Sequence, residues 1–333
     1  MAGRRLARLP AGKPRGAGDK GESHAYCRYG AAMASPSDTL RALVAAELAE
    51  TVDPRVTDMA AAIAASYPGA ARAVLFYGSC LRERQLDGLM LDFYLIVSDY
   101  RTAYGKSWLA AANRLVPPNV FPFEQKGLTA KYAVLSEADF ALECSPAART
   151  SSVFARFAQP ARLVWASDSA ARANAVDAVS RAAPTLLDLT RASLTDEEAR
   201  DPLDLWRRAF AFTYAAELRA ERSSRAGSIV DSDPVRYRAF AAAAGYPRDA
   251  GLTEEQRAVS LGDWRKTARR GKRANVLRLL KASFTFAGGI DYLAWKINRH
   301  AGTNIEVKPW QRRWPLVAGL ILLPRLLKRG AIR

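Results

Sequence analysis

Apolar and polar residues along the chain change rhythm twice. Residues 39–48 place apolar side chains three and four apart, the spacing of one helix face, behind Ser37 or Asp38 as the capping residue. A second run of this kind covers residues 56–67. The rhythm then shortens to compact β-branched and aromatic runs: Ala73-Val-Leu-Phe-Tyr, Leu89-Met-Leu-Asp-Phe-Tyr-Leu-Ile-Val, Lys131-Tyr-Ala-Val-Leu after the Pro117-Pro118 loop, and Ala161-Arg-Leu-Val-Trp. Each predicts a buried strand. Beyond Asp168 the helical spacing returns over residues 170–191, 202–222, 234–244 and 272–281. Strands first and helices afterwards predict an α+β fold, with a sheet domain over residues 37–168 and a helical domain over 169–290.

Residues 1–36 follow neither rhythm. They are rich in Arg, Gly, Ala and Pro and lack an apolar signal-like run, so they read as a disordered basic lead, an organellar transit peptide, or an over-extended start ahead of Met33. Charge sharpens this map. The net charge is +17, and from Arg265 to the end the chain carries 17 Lys or Arg against only Asp291 and Glu306. The first 38 residues add 7 bases and 3 acids, which leaves the middle of the chain close to neutral. A basic field confined mostly to one end implies an anionic partner there, either nucleic acid or an anionic lipid surface. Cys27, Cys80 and Cys144 are far apart, and only His24 and His300 could join them. That argues against a disulfide framework and a clustered zinc site, and fits a reducing, cytoplasmic compartment.

The chemistry concentrates in two consecutive runs. Val74-Leu-Phe-Tyr ends in Gly78-Ser79, where a residue without Cβ lets backbone N–H groups and a hydroxyl approach triphosphate oxygens. The next run carries Asp92 between Leu91 and Phe93, in a strand apolar enough to be central. An unpaired charge there would cost several kcal/mol, so something positive is expected to meet it, and a divalent metal is the economical answer. In the later helical run, Phe210, Tyr214 and Glu217 stand at i, i+4 and i+7, one stripe that places a carboxylate beside two aromatic residues. Glu217 is then either paired with a base such as Arg219 or a second metal ligand.

This arrangement resembles the DNA polymerase β-like nucleotidyltransferases, whose pattern is a Gly-Ser turn followed by alternating carboxylates on the next strand. The residue two before Asp92 is Met90, so the second carboxylate of that pattern is absent; Asp87, in the preceding loop, is the nearest substitute. Over about 200 residues the order of motifs is similar to the mitochondrial translocator-maintenance type of phosphatidate cytidylyltransferase and its bacterial relatives. The similar segments are Tyr77-Gly78-Ser79, Met90-Leu91-Asp92-Phe93, Lys131-Tyr132-Ala133-Val134-Leu135-Ser136, Phe154-Ala-Arg-Phe-Ala-Gln-Pro-Ala-Arg-Leu, Tyr214-Ala-Ala-Glu217-Leu-Arg219 with Arg225 downstream, and Leu280-Lys281-Ala-Ser-Phe284-Thr-Phe286-Ala-Gly288-Gly289.

The resemblance implies a polymerase β-like sheet domain followed by a helical domain. It also implies transfer of CMP from CTP to phosphatidic acid, giving CDP-diacylglycerol and pyrophosphate. Magnesium would be held by Asp92 and Glu217, with Asp87 as a further candidate ligand. Gly78 and Ser79 would hold the β and γ phosphates, and Lys131, Arg219 and Arg225 would offset charge on the triphosphate or the lipid phosphate. Asp92, Ser79 and Lys131 are the expected catalytic residues.

The remaining segment, residues 291–333, joins Trp310, Trp314 and flanking bases to a short apolar run. A helix over residues 316–327 would be about 18 Å long, too short for about 30 Å of hydrocarbon. It reads as a basic amphipathic segment in the interface of an anionic membrane, which makes the protein peripheral to it. Two other function classes fit parts of the chain. A nucleotidyltransferase acting on RNA, protein or a small molecule would share the turn but have little use for the apolar tail. A non-catalytic binding module would use the basic end and leave Asp92 without a purpose.

Overall fold

The computed structural model describes residues 36–83, 86–216, 225–248, 251–285 and 308–309. Helices α1 (Asp38–Ala49) and α2 (Pro54–Ala65) lead into β1 (Ala71–Tyr77), which continues through the short α3 (Ser79–Glu83) to β2 (Met90–Val97). Helices α4 (Tyr100–Ala103) and α5 (Ser107–Leu115) precede a hairpin of β3 (Asn119–Gln125) and β4 (Leu128–Ser136). Next come α6 (Glu137–Glu143), α7 (Phe154–Phe157) and β5 (Ala161–Ala166). The helices α8 (Ser169–Ser180), α9 (Ala182–Arg191), α10 (Pro202–Ala216), α11 (Arg225–Asp231), α12 (Pro234–Ala243) and α13 (Glu254–Thr285) follow.

The result is an α+β fold, one five-stranded sheet in the order β3-β4-β2-β1-β5 followed by helices. β2 lies at the centre, antiparallel to β1 and parallel to β4. Alternation along the strands supplies two cores. Leu75, Tyr94, Ile96 and Leu135 face a layer that includes Leu40 and Val44 of α1, Phe157 of α7, Leu186 of α9 and Trp206 and Phe210 of α10. Val74, Phe76, Leu91, Phe93 and Val134 face Val56, Met59 and Ile63 of α2 and Tyr100 of α4. Burial on both faces explains why β1 and β2 read as nearly continuous apolar runs. Caps match the sequence: the Ser37 hydroxyl accepts from the Leu40 amide, and Asp53 accepts from the Arg55 amide ahead of Pro54.

Helices α4 to α7 and α11 are not in the sequence expectation, and three further elements depart from it. β3 is absent from it, because Pro122 argues against a strand; β3 is the edge of the sheet, where a missing N–H costs least. Its hairpin closes through Lys126 and Gly127, both at positive φ (49° and 78°), as a two-residue turn joining right-twisted strands requires. The helix expected over residues 170–191 is two helices, α8 and α9, since Pro184 fits only in a first turn. The helix expected over 272–281 is the last third of α13, 32 residues long. The part before residue 272 is strongly polar and carries Gly262 and Gly271, so no apolar periodicity announces it. Gly271 has a packing reason: a Cβ there would lie 2.5 Å from the Ala216 carbonyl oxygen, so the glycine is what lets α13 cross α10 closely.

Candidate functional site

The central strand delivers Asp92. Odd-numbered neighbours Leu91 and Phe93 turn into the α2 core, which leaves Asp92 on the face shared with Tyr94 and Ile96. Asp92 lies third in β2, directly opposite Tyr77 of β1 and Lys131 of β4. The chain leaves β1 at Gly78, whose φ of +99° is a conformation that residues with a side chain rarely adopt. A Cβ on Gly78 would sit 3.0 Å from Oδ2 of Asp92. The glycine is therefore required twice, for its backbone angle and for the space the carboxylate uses. Cys80 fixes the turn over the start of β2, since its buried thiol donates to the Met90 carbonyl at 3.4 Å.

What meets Asp92 is an amino group. Lys131 Nζ lies 2.8 Å from Oδ1, and the two side chains keep 30% and 19% of their exposure. The sequence led to the expectation that something positive meets this carboxylate, a divalent metal being the economical answer; the parallel register of β2 and β4 places a base beside it as well. Oδ2 lies against Gly78, in the space a Cβ there would take, and the pair as a whole stays partly exposed. Ser79, the first residue of α3, is half-buried, and its hydroxyl makes no hydrogen bond to another described residue. Gly78, Ser79, Asp92 and Lys131 thus converge on one place, the end of β1 and the start of β2.

Asp87 is placed differently. It is 78% exposed in the loop before β2 and pairs with Arg55 at 3.0 Å. Phe210 is fully buried and Tyr214 packs against the same core, so the stripe leading to Glu217 does face inward. Glu217 and Arg219 lie outside the described residues, as do residues 1–35 and the segment from Trp310. Arg225 opens α11, with its side chain outside the described part.

Among the described residues no group of three or more His, Cys, Asp or Glu could hold a metal ion. A magnesium site needs less than that, since this ion keeps several waters and is held by one or two carboxylates together with substrate phosphates. Asp92, a partly exposed carboxylate beside a glycine turn, fits such a donor set.

Sequence reading assigned no role to a second basic group. Arg156 of α7 and Arg278 of α13 both donate to the Ser152 hydroxyl, at 2.9 and 3.3 Å. Arg278 also donates to the Pro117 carbonyl at 2.7 Å, and Lys281 to the carbonyls of Val116 and, at 2.8 Å, Pro118. Burial first, and then the neighbouring Arg278 charge, push the Lys281 ammonium down to about 7. Only the fold brings residues 117, 152, 156 and 278 together, so no local signal in the sequence marks them. No family model matches the chain, and a search of curated proteins returns no match.

Proposed function

We propose that the protein is a magnesium-dependent nucleotidyltransferase of polymerase β-like architecture, transferring CMP from CTP to phosphatidic acid at a membrane surface. The observation that carries this reading is the contact between Asp92 and Gly78: a carboxylate on the central strand is turned onto a left-handed glycine at the end of the neighbouring strand. A turn without a side chain, beside a partly exposed carboxylate, suits a triphosphate, whose oxygens must approach both backbone N–H groups and a carboxylate-held cation.

In this reading the Gly78 backbone and Ser79 hydroxyl hold the β and γ phosphates. Asp92 holds the metal, together with Glu217 if the stripe of α10 continues inward, and Lys131 sets the position of the Asp92 carboxylate and offsets phosphate charge. Bound magnesium would neutralise and orient the triphosphate oxygens. A phosphate oxygen of phosphatidic acid forms the new bond to the α-phosphorus, the bond from that phosphorus to the β-phosphate oxygen breaks, and pyrophosphate leaves with the electron pair. The attacking oxygen is already anionic at neutral pH, so the step needs no general base, in keeping with a chain whose histidines are His24 and His300. Asp87 has its partner in Arg55, and the reading rests on Asp92 rather than on it.

The lipid substrate is supported by the basic, tryptophan-flanked end of the chain, whose 17 bases against 2 acids suit an anionic surface. Among the described residues no helix is long and apolar enough to cross a membrane. The test is incubation of purified protein with labelled CTP, magnesium and phosphatidic acid vesicles. Lipid-linked cytidylate released together with pyrophosphate is the expected product. Transfer to RNA, protein or a small molecule, with none to the lipid, would overturn the choice of substrate.

A further inference from the structure

Helix α13 is built with two unlike faces. The inner face runs through Ser260, Trp264, Thr267 and Gly271, all buried. Trp264 donates its ring N–H to the Leu189 carbonyl at 3.0 Å and lies against Phe212, while Gly271 meets the Ala216 carbonyl. Arg278 continues the same seam to the start of β3. This seam fixes which way the opposite face looks.

That opposite face is basic. Arg265, Lys266, Arg269, Arg270, Lys272 and Arg273 are all exposed. At 3.6 residues per turn they fall within an arc of about 160°, over about 12 Å of helix. Lys266 pairs with Asp263 at 2.9 Å; the other five form no ion pair with another described residue. Val259 and Leu277, at 45% and 51% exposure, stand at the edge of the same arc, one on each side of the bases along the helix.

Six outward charges on a helix held rigidly by its inner seam make a surface for an anionic partner. A row of phosphates on nucleic acid would satisfy the bases but has no use for exposed apolar residues before and after them. A bilayer satisfies both, with lipid phosphates meeting the guanidinium groups and Val259 and Leu277 entering the headgroup boundary. The sequence then continues from α13 towards the tryptophan-flanked apolar segment at its end.

We propose that the outward face of α13 docks on an anionic lipid bilayer. The choice of membrane over nucleic acid rests on the exposed Val259 and Leu277 and on the lipid-substrate reading above; the docking face itself rests on α13 alone.

The experiment is flotation with phosphatidylcholine vesicles containing about one third phosphatidylserine, an anionic lipid that is not the proposed substrate. Full-length protein is compared with a variant carrying Arg265→Gln, Arg269→Gln, Lys272→Gln and Arg273→Gln. A control variant carries Arg101→Gln, Arg114→Gln, Arg172→Gln and Arg200→Gln, four exposed bases elsewhere on the surface. The α13 variant is expected to lose at least about 30-fold in vesicle affinity, the control less than about threefold, with thermal unfolding unchanged in both. Equal binding by wild type and the α13 variant would overturn the proposal, as would equal losses in both variants, which would mark a diffuse net-charge effect. Tighter binding to duplex DNA or RNA than to vesicles, lost in the α13 variant, would also overturn it in favour of nucleic acid. Loss of vesicle binding in the α13 variant, alongside a wild type that makes no lipid-linked cytidylate, would keep the docking face and reject the enzymatic reading.

Discussion

Glu47 with Arg236 and Asp92 with Lys131 are both carboxylate–base pairs turned towards the interior, and they are built to different ends. Glu47 and Arg236 retain 10% and 7% exposure and join α1 to α12 across 189 residues of sequence. The guanidinium binds both carboxylate oxygens, donates to the Ala158 carbonyl at 3.1 Å and lies 4.1 Å over the Phe240 ring. Such a pair is closed: its groups are matched, and water and ligands are kept away. Asp92 and Lys131 are two to four times more exposed, share one short contact, and leave a carboxylate oxygen over a glycine that must remain a glycine. Both pairs satisfy a charge turned inward, but only the second remains partly exposed, beside a glycine turn. The comparison teaches that an inward carboxylate paired with a base is not by itself a sign of chemistry; exposure and the neighbouring glycine turn are what distinguish Asp92 from Glu47.

The largest expected contrast comes from Asp92→Asn. It should reduce CMP transfer by at least about 10³-fold while the thermal midpoint moves little, since the amide preserves shape and Lys131 can still turn to solvent. An unchanged rate would place Asp92 with Glu47 as a structural carboxylate. Arg236→Met should do the reverse, costing about 3–5 kcal/mol in denaturant-determined stability by leaving Glu47 buried and uncompensated. Its folded fraction should transfer CMP at the wild-type rate per folded molecule; a loss of turnover beyond the folded fraction would tie that pair to the site after all.

Gly78→Ala should cost about 1–3 kcal/mol of stability, because a φ of +99° and a Cβ 3.0 Å from Oδ2 are both unfavourable. It should also raise KM for CTP more than it lowers kcat. A stable, fully active Gly78→Ala protein would show that the close approach of Asp92 to Gly78 is not used.

Lys281 offers the smallest and most graded contrast, a base held by carbonyl oxygens in addition to any charged neighbour. Its folded value of about 7 lies below the ordinary 10.5, so between those limits the unfolded chain holds more protons than the folded one. Stability should therefore rise with pH across that window, by about 1.4 kcal/mol per pH unit at most, and Lys281→Met should flatten the slope. Denaturant midpoints from pH 7 to pH 10 measure this. A slope of the opposite sign, or one that survives the substitution, would show that Lys281 is not desolvated.

The sequence carried four of the five strands clearly, because β1, β2, β4 and β5 are short apolar runs between turn residues. It missed β3, whose alternating Phe121, Pro122 and Phe123 belong to an edge rather than to the interior. It also missed most of α13, where docking depends on small and polar residues such as Ser260, Thr267 and Gly271 instead of an apolar stripe. At the site, the spacing of Gly78-Ser79 and Asp92 was legible because a β1–β2 connection leaves few ways to arrange it. The partner of Asp92 was not. Lys131 comes from a parallel strand 39 residues later, and a parallel register is set by the whole sheet rather than by either local sequence. The basic group around Ser152 was illegible for the same reason, since it draws on three separate stretches of chain.

The central claim is that Asp92 holds a divalent cation together with a nucleoside triphosphate. Titrating CTP into wild type and Asp92→Asn by calorimetry, each with and without magnesium, tests it directly. Wild type should bind CTP at least about tenfold more tightly with magnesium than without, and the variant should show the same affinity in both conditions. Metal-enhanced binding that survives intact in Asp92→Asn would contradict the account.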